Sequence, residues 1–180
     1  MRRLLIALAL AGVASYVVAD VFPVESVKAA FLYRFASYVE WPPEVPQAPF
    51  VIGVAGSEEV ATQLEALLPR MAVRGHAAQL RRVSRVSDLD GVHILYIGPG
   101  VLPRSRSLLA EAVKRPVLLV TDDEDGLGAG AVINFRDSDR NVRFEVSLAA
   151  SDRARLKVDA ALLSVAARVE RRPHPVGENK

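Results

Sequence analysis

Apolar positions along the chain recur at two different periods, and the change of period marks the elements. From Val24 to Trp41 the period is helical. At 100° per residue, Val24, Val27, Phe31, Phe35 and Tyr38 fall in one stripe, Leu32 and Val39 on one flank, and Arg34 and Trp41 on the other. Tyr33 and Glu40 face outward. Pro42 and Pro43 end this helix, because proline lacks the amide donor and restricts the residue before it.

The next runs are short and rich in β-branched residues. "FVIGVAG" predicts a strand over Phe50 to Ala55, a turn at Gly56-Ser57, and a helix through about Leu68 with Ser57 as its N-cap. Val60 stands where a capping box would place Glu. "AAQLRRV" predicts a second strand, "HILYIG" a third from His93 to Gly98, and "PVLLVTD" a fourth from Pro116 to Asp122. A helix starting at Pro103 and running to about Lys114 separates the last two. Strands alternating with helices imply right-handed crossovers and a mainly parallel sheet flanked by helices.

After Asp122 the pattern changes. "GLGAGA" leads into "VINFRD", then "SDRN", then "VRFEVSL", which predicts a C-terminal antiparallel hairpin. In its second arm Val142, Phe144, Val146 and Leu148 alternate with Arg143, Glu145 and Ser147, so one face is apolar and the other carries charge. A helix from about Ser151 to Glu170 follows, with Val158, Leu162, Val165 and Val169 as its stripe, and then a polar tail over 173–180. The fold class expected is α/β, in a single compact domain spanning 20–172.

Residues 1–19 are set apart by a different pattern. Arg2 and Arg3 precede an apolar run from Leu4 to Val18, with small residues before Asp20, the layout of a cleaved secretory signal. The alternative is an uncleaved anchor, but the apolar core is shorter than the roughly 20 residues of a spanning helix. Cleavage removes two of the 23 basic residues and leaves 21 against 21 acidic ones. A neutral exported domain lacks the basic excess that neutralises phosphates, so nucleic acid is excluded as a partner. The chain holds no cysteine, which excludes thiol catalysis, disulfides and thiolate metal sites.

Other chemical signals fail on position. Gly126, Gly128 and Gly130 precede a strand, whereas a dinucleotide fingerprint needs its glycines before a helix. Aligning "DDEDG" with a calcium loop leaves Thr121 at the first ligand position and Val132 at the last. His76, His93 and His174 have no i,i+4 partner, so no metal is expected. No Gly-x-Ser-x-Gly elbow is present. A pair of carboxylates brought together only by the fold stays open, but the residues favour a binding protein over an enzyme, with no cofactor.

"VKAAFLYRFASYVEWP", "FVIGVAGS", "HILYIG", "PVLLVTD" and "GAVINFRDSDRNVRFEVSLAASDRARLKVDAALLSVA", in this order, resemble the YfiR family of exported proteins. The specific parts are the Glu-Trp-Pro end of the first helix and the Ile-Asn-Phe to Arg-Phe-Glu hairpin. The resemblance implies a periplasmic repressor that binds the periplasmic domain of a membrane diguanylate cyclase and lowers cyclic-di-GMP. It also implies a compact α/β sandwich that forms a homodimer. Well-known members use cysteines for redox control, which this chain cannot do.

The resemblance carries Glu145 over as a ligand- or partner-facing residue, beside Arg143. Arg34 flanks the helix stripe, and Arg172 with His174 resembles a basic C-terminal patch. Trp41 and Tyr33 offer the aromatic area enriched in binding hot spots; for Trp41 the alternative is a core edge closed under the Pro-Pro turn. A second function stays open: an exported module that binds a small-molecule ligand and acts on a histidine kinase or transporter.

Overall fold

The computed structural model describes residues 23–46, 48–101, 104–138 and 141–171. The signal segment, Pro103, Arg172, His174 and the polar tail therefore lie outside the described residues. The elements are α1 (Val24–Tyr38), β1 (Val39–Glu40), β2 (Phe50–Ala55), α2 (Glu58–Leu67), β3 (Ala72–Val73), β4 (His76–Arg82), β5 (Ile94–Ile97), α3 (Arg106–Ala112), β6 (Leu118–Thr121), β7 (Ile133–Ser138), β8 (Asn141–Ser147), α4 (Leu148–Arg153), β9 (Lys157–Val158), α5 (Ala160–Val165) and β10 (Arg168–Glu170).

One sheet organises them, in the order β10-β8-β7-β6-β5-β2-β4-β3. β4, β2, β5, β6 and β7 run parallel, and β8 returns antiparallel to β7 with β10 parallel beside it. This is the mainly parallel sheet and C-terminal hairpin that the pattern predicts. β2, β5 and β6 are buried along their whole length because apolar layers cover both faces.

On the first face, α1, α2 and α5 pack Leu32, Phe35, Leu64 and Leu162 against Phe50, Ile52, Ile94, Tyr96, Leu118 and Phe135. On the second, α3 and a 3-10 turn at 86–89 place Leu108 and Leu89 over Val51, Leu95, Ile97 and Leu119. Burying each large side chain contributes about 1.5–3 kcal/mol, so the two layers are the main source of stability.

α1 departs from the predicted helix at its end and in its buried face. It stops at Tyr38, and Val39 is extended and pairs with Val158, while Glu40 pairs with Lys157 of β9. The fully buried positions are Lys28, Ala29, Leu32, Phe35 and Ala36, because α1 is wedged between α2 and the sheet. Val24 and Val27, expected in the stripe, are only partly buried. Tyr33, expected to face outward, is partly buried and donates its hydroxyl to the Ala72 carbonyl at 2.9 Å.

The predicted helix from Ser151 to Glu170 does not form. α4 ends at Arg153, Arg155 just beyond it has a left-handed φ of 57°, and the Leu156 N–H turns back to the Ser151 carbonyl. Asp159 then caps α5 by accepting from the Ala161 N–H at 2.7 Å. Of the expected stripe, Leu162 is in the core, Val158 and Val169 lie in strands, and Val165 is 64 % exposed.

The crossover from β6 to β7 is a glycine-rich turn in place of a helix. Gly126 is buried there: a Cβ would lie 2.1 Å from Thr121 Oγ1 and 2.2 Å from Asn134 Oδ1. Asn134 fixes the turn by accepting from the Thr121 hydroxyl (2.7 Å) and donating to the Asp123 carbonyl (2.9 Å). These hydrogen bonds pin the connection.

Candidate binding face and its surroundings

The hairpin register decides which charges meet. The polar "SDRN" tip places Ser138 opposite Asn141, and pairing then sets Arg136 opposite Arg143 and Asn134 opposite Glu145. β10 adds Arg168 beside Glu145. Because successive residues alternate faces, Arg136, Arg143, Glu145, Arg168 and Glu170 all project to the second face, while Phe135, Phe144 and Val146 enter the first-face core.

Glu145 is the sheltered member of this set, its side chain 13 % exposed. Its carboxylate lies 3.7 Å from Arg136 and 3.8 Å from Arg168, and Arg168 also lies 3.7 Å from Glu170. Arg136 further donates to the Glu124 carbonyl at 3.1 Å. Arg143 is exposed and makes no ion pair with any described residue.

The other residues singled out from sequence sit elsewhere. Arg34 is exposed on α1, at the rim of an apolar groove of about 320 Å³ between Phe31, Tyr38, Phe144 and Val165. That groove lies on the opposite face of β8 from Arg143. Trp41 is 7 % exposed. Its Nε1–H donates to the His93 carbonyl (3.3 Å), and its ring meets Phe50 and His93 edge-on. Packing at the core edge accounts for these contacts.

His93 completes that cluster. Its ring stacks on Phe50 at 4.4 Å, accepts at Nδ1 from the Val51 N–H and donates from Nε2 to the Pro46 carbonyl. Burial pushes its pKa down from the usual value, opposed in part by the carbonyl contacts at Pro46 and Gly91.

Sequence reasoning missed two groupings. Arg136 was legible through the hairpin tip, which fixes it opposite Arg143; Arg168 was not, because β10 reads as helix. The second grouping is a buried ion pair, Lys28 Nζ to Asp122 Oδ2 at 2.6 Å, with the Tyr96 hydroxyl donating to the same oxygen at 3.1 Å. The pair ties α1 to the end of β6 across 94 residues, and nothing local in the sequence signals it.

The C-terminal strand ends are where α/β sheets commonly hold ligands. The place where strand order reverses, between β2 and β5, is filled: a Cβ on Gly98 would lie 2.6 Å from the Gly56 carbonyl oxygen, and one on Gly56 would strike Val101. A cleft of about 430 Å³ opens instead beside β6 and β7, lined by Pro99, Asp122, Asp123, Glu124, Phe135 and Arg136. Among the described residues no cluster of three or more His, Asp or Glu could hold a metal ion. No helix there is long and apolar enough to cross a membrane.

Two solved structures are similar to the chain at low identity. The ABC domain in complex with L-Trp from Streptococcus pneumonia is 9 % identical, with a TM-score of 0.54, over 78 % of this chain and 60 % of that one. A conserved domain protein from Vibrio cholerae O1 biovar El Tor is 12 % identical, with a TM-score of 0.49, over 71 % and 57 %. The chain thus spans about three fifths of the length of these structures. No curated protein matches it. The YfiR/HmsC-like family model matches residues 25–167, from the start of α1 to the edge of β10, and the chain belongs to the YfiR/HmsC-like family.

Proposed function

We propose that the protein is a periplasmic regulatory binding protein that binds the periplasmic part of a membrane diguanylate cyclase and represses it, lowering cyclic-di-GMP. The observation that carries this reading is the family match over residues 25–167, nearly the whole described domain. The second face of the hairpin supports it: Arg143, Glu145 and their neighbours form a charged, largely open surface on rigid strands, suited to reversible association. Arg34, Tyr33, Arg172 and His174 belong to the reading as secondary contacts, and Trp41, buried in the core, does not.

The test pairs binding with output. Purified protein should bind the periplasmic domain of a membrane diguanylate cyclase from the same cell, and deletion of its gene should raise cellular cyclic-di-GMP, restored by the wild-type copy. Unchanged cyclic-di-GMP together with no binding would sink the assignment.

The cleft beside β6 and β7 favours a second reading, an exported small-molecule-binding module acting on a histidine kinase or transporter. The S. pneumonia domain named above carries L-Trp. A thermal-shift series with the common amino acids as probes separates the readings: a raised Tm would support this one.

A further inference from the structure

The second face of the hairpin carries an electrostatic imbalance that its own residues do not resolve. Arg136 and Arg143 are direct cross-strand partners, a pairing that places side-chain origins about 4.5–5.5 Å apart and is destabilising for like charges. Glu145, the one carboxylate among them, already lies between Arg136 and Arg168. Glu170 approaches only Arg168. Among the described residues of this face, three guanidinium groups therefore stand against two carboxylates, and the one without an ion pair is Arg143.

We propose that Arg143, with Arg136 and Arg168 beside it, is the docking point for an acidic segment of the partner protein. The proposal rests on the reading of the protein as a binding regulator and adds the chemistry of what it binds. Charge complementarity identifies the occupant: a carboxylate between Arg136 and Arg143 relieves their repulsion and receives the fork of donors that arginine presents. Shape favours a protein segment over a small anion. The three arginines are spread across three adjacent strands, a width of about 10 Å at the usual strand spacing, and small ligands are normally enclosed in concave sites. Glu145 acts as a positioning residue that keeps Arg136 and Arg168 apart and upright.

Biolayer interferometry with the purified protein tests this against two probes, the cyclase periplasmic domain and an immobilised Glu-rich peptide. Wild type should bind both, more weakly as NaCl rises from about 50 to about 300 mM. Arg143→Glu should weaken binding at least about tenfold, and Arg143→Lys, which keeps the charge but lacks the fork, should weaken it less. Arg143 is exposed, so circular dichroism should match wild type in both variants and Tm should not fall in either, since Arg143→Glu also removes the like-charge pairing with Arg136. Binding of the peptide that depends on Arg143, without binding of the cyclase domain, would keep the docking point and remove the cyclase from the proposed function. Equal binding by wild type and Arg143→Glu, no binding of either probe, or full competition by equimolar inorganic phosphate would overturn the proposal.

Discussion

At the scale of single residues, His93 shows how burial turns an ordinary side chain into a pH liability. Both ring nitrogens are engaged, Nδ1 as acceptor and Nε2 as donor, so the neutral ring fits and the protonated ring sets two N–H groups face to face at Val51. The folded pKa lies below the ordinary value of 6.5. Above that value both folded and unfolded chains are neutral here and stability does not depend on the group. As the pH falls below it, the unfolded chain takes up the proton first, so unfolding becomes easier until the folded pKa is reached. Urea denaturation at pH 7.5 and 5.5 should show a lower midpoint at the acid end (pH values are assay choices around about 6.5). His93→Gln should reduce that difference, and an identical pH slope in the variant would rule His93 out as its source.

Elements differ in how much of them was legible, and the difference follows from the range of the contacts that stabilise them. β5 and β6 were readable because both faces are covered, which demands an unbroken apolar run. The hairpin was readable because its polar tip and alternation are local. The segment after Ser151 was not. Val158, Leu162, Val165 and Val169 happen to stand at helical spacing, yet β9 is held by β1 and β10 by β8, partners far away in the chain. What the sequence does show is Asp159, a good capping residue misread as helix interior. Asp159→Ala should destabilise α5 by about 1 kcal/mol. Hydrogen exchange should report the loss at Ala161–Val165 first, and unchanged protection there would remove the cap from the account.

The candidate site divides along the same line. Arg143 and Glu145 stood out by strand alternation, but their environment depends on Arg136 and Arg168, whose placement needs the register and the extra strand. Trp41 and Arg34 are near in sequence and serve different surroundings, one inside the core and one at a groove rim.

For the whole molecule, the Lys28–Asp122 pair is a buried charged tie between the first helix and the end of β6. Both side chains are nearly inaccessible, at 7 % and 10 % exposed, so removing one charge takes away the other's 2.6 Å counter-charge where little water can replace it. Asp122→Asn should cost about 3–5 kcal/mol, read as a lower urea midpoint. Combining Lys28→Met with Asp122→Leu should recover much of that loss, because the desolvation of both charges is removed together. A double variant no more stable than the single one would show that the tie matters through its shape rather than its charge.

Trp41, wedged between Phe50 and His93, has a spectroscopic consequence. It is the chain's one tryptophan, so nearly all fluorescence excited at the red edge of the absorption band comes from a single indole in a single known setting. An imidazolium ring quenches indole emission, and the acid titration of His93 should therefore dim this signal before the chain unfolds. Association at Arg143, across the sheet from the indole, should leave it dark to binding. The protein is its own reporter for the integrity of the first-face core and a poor one for its partner, which calls for a label placed on the hairpin itself.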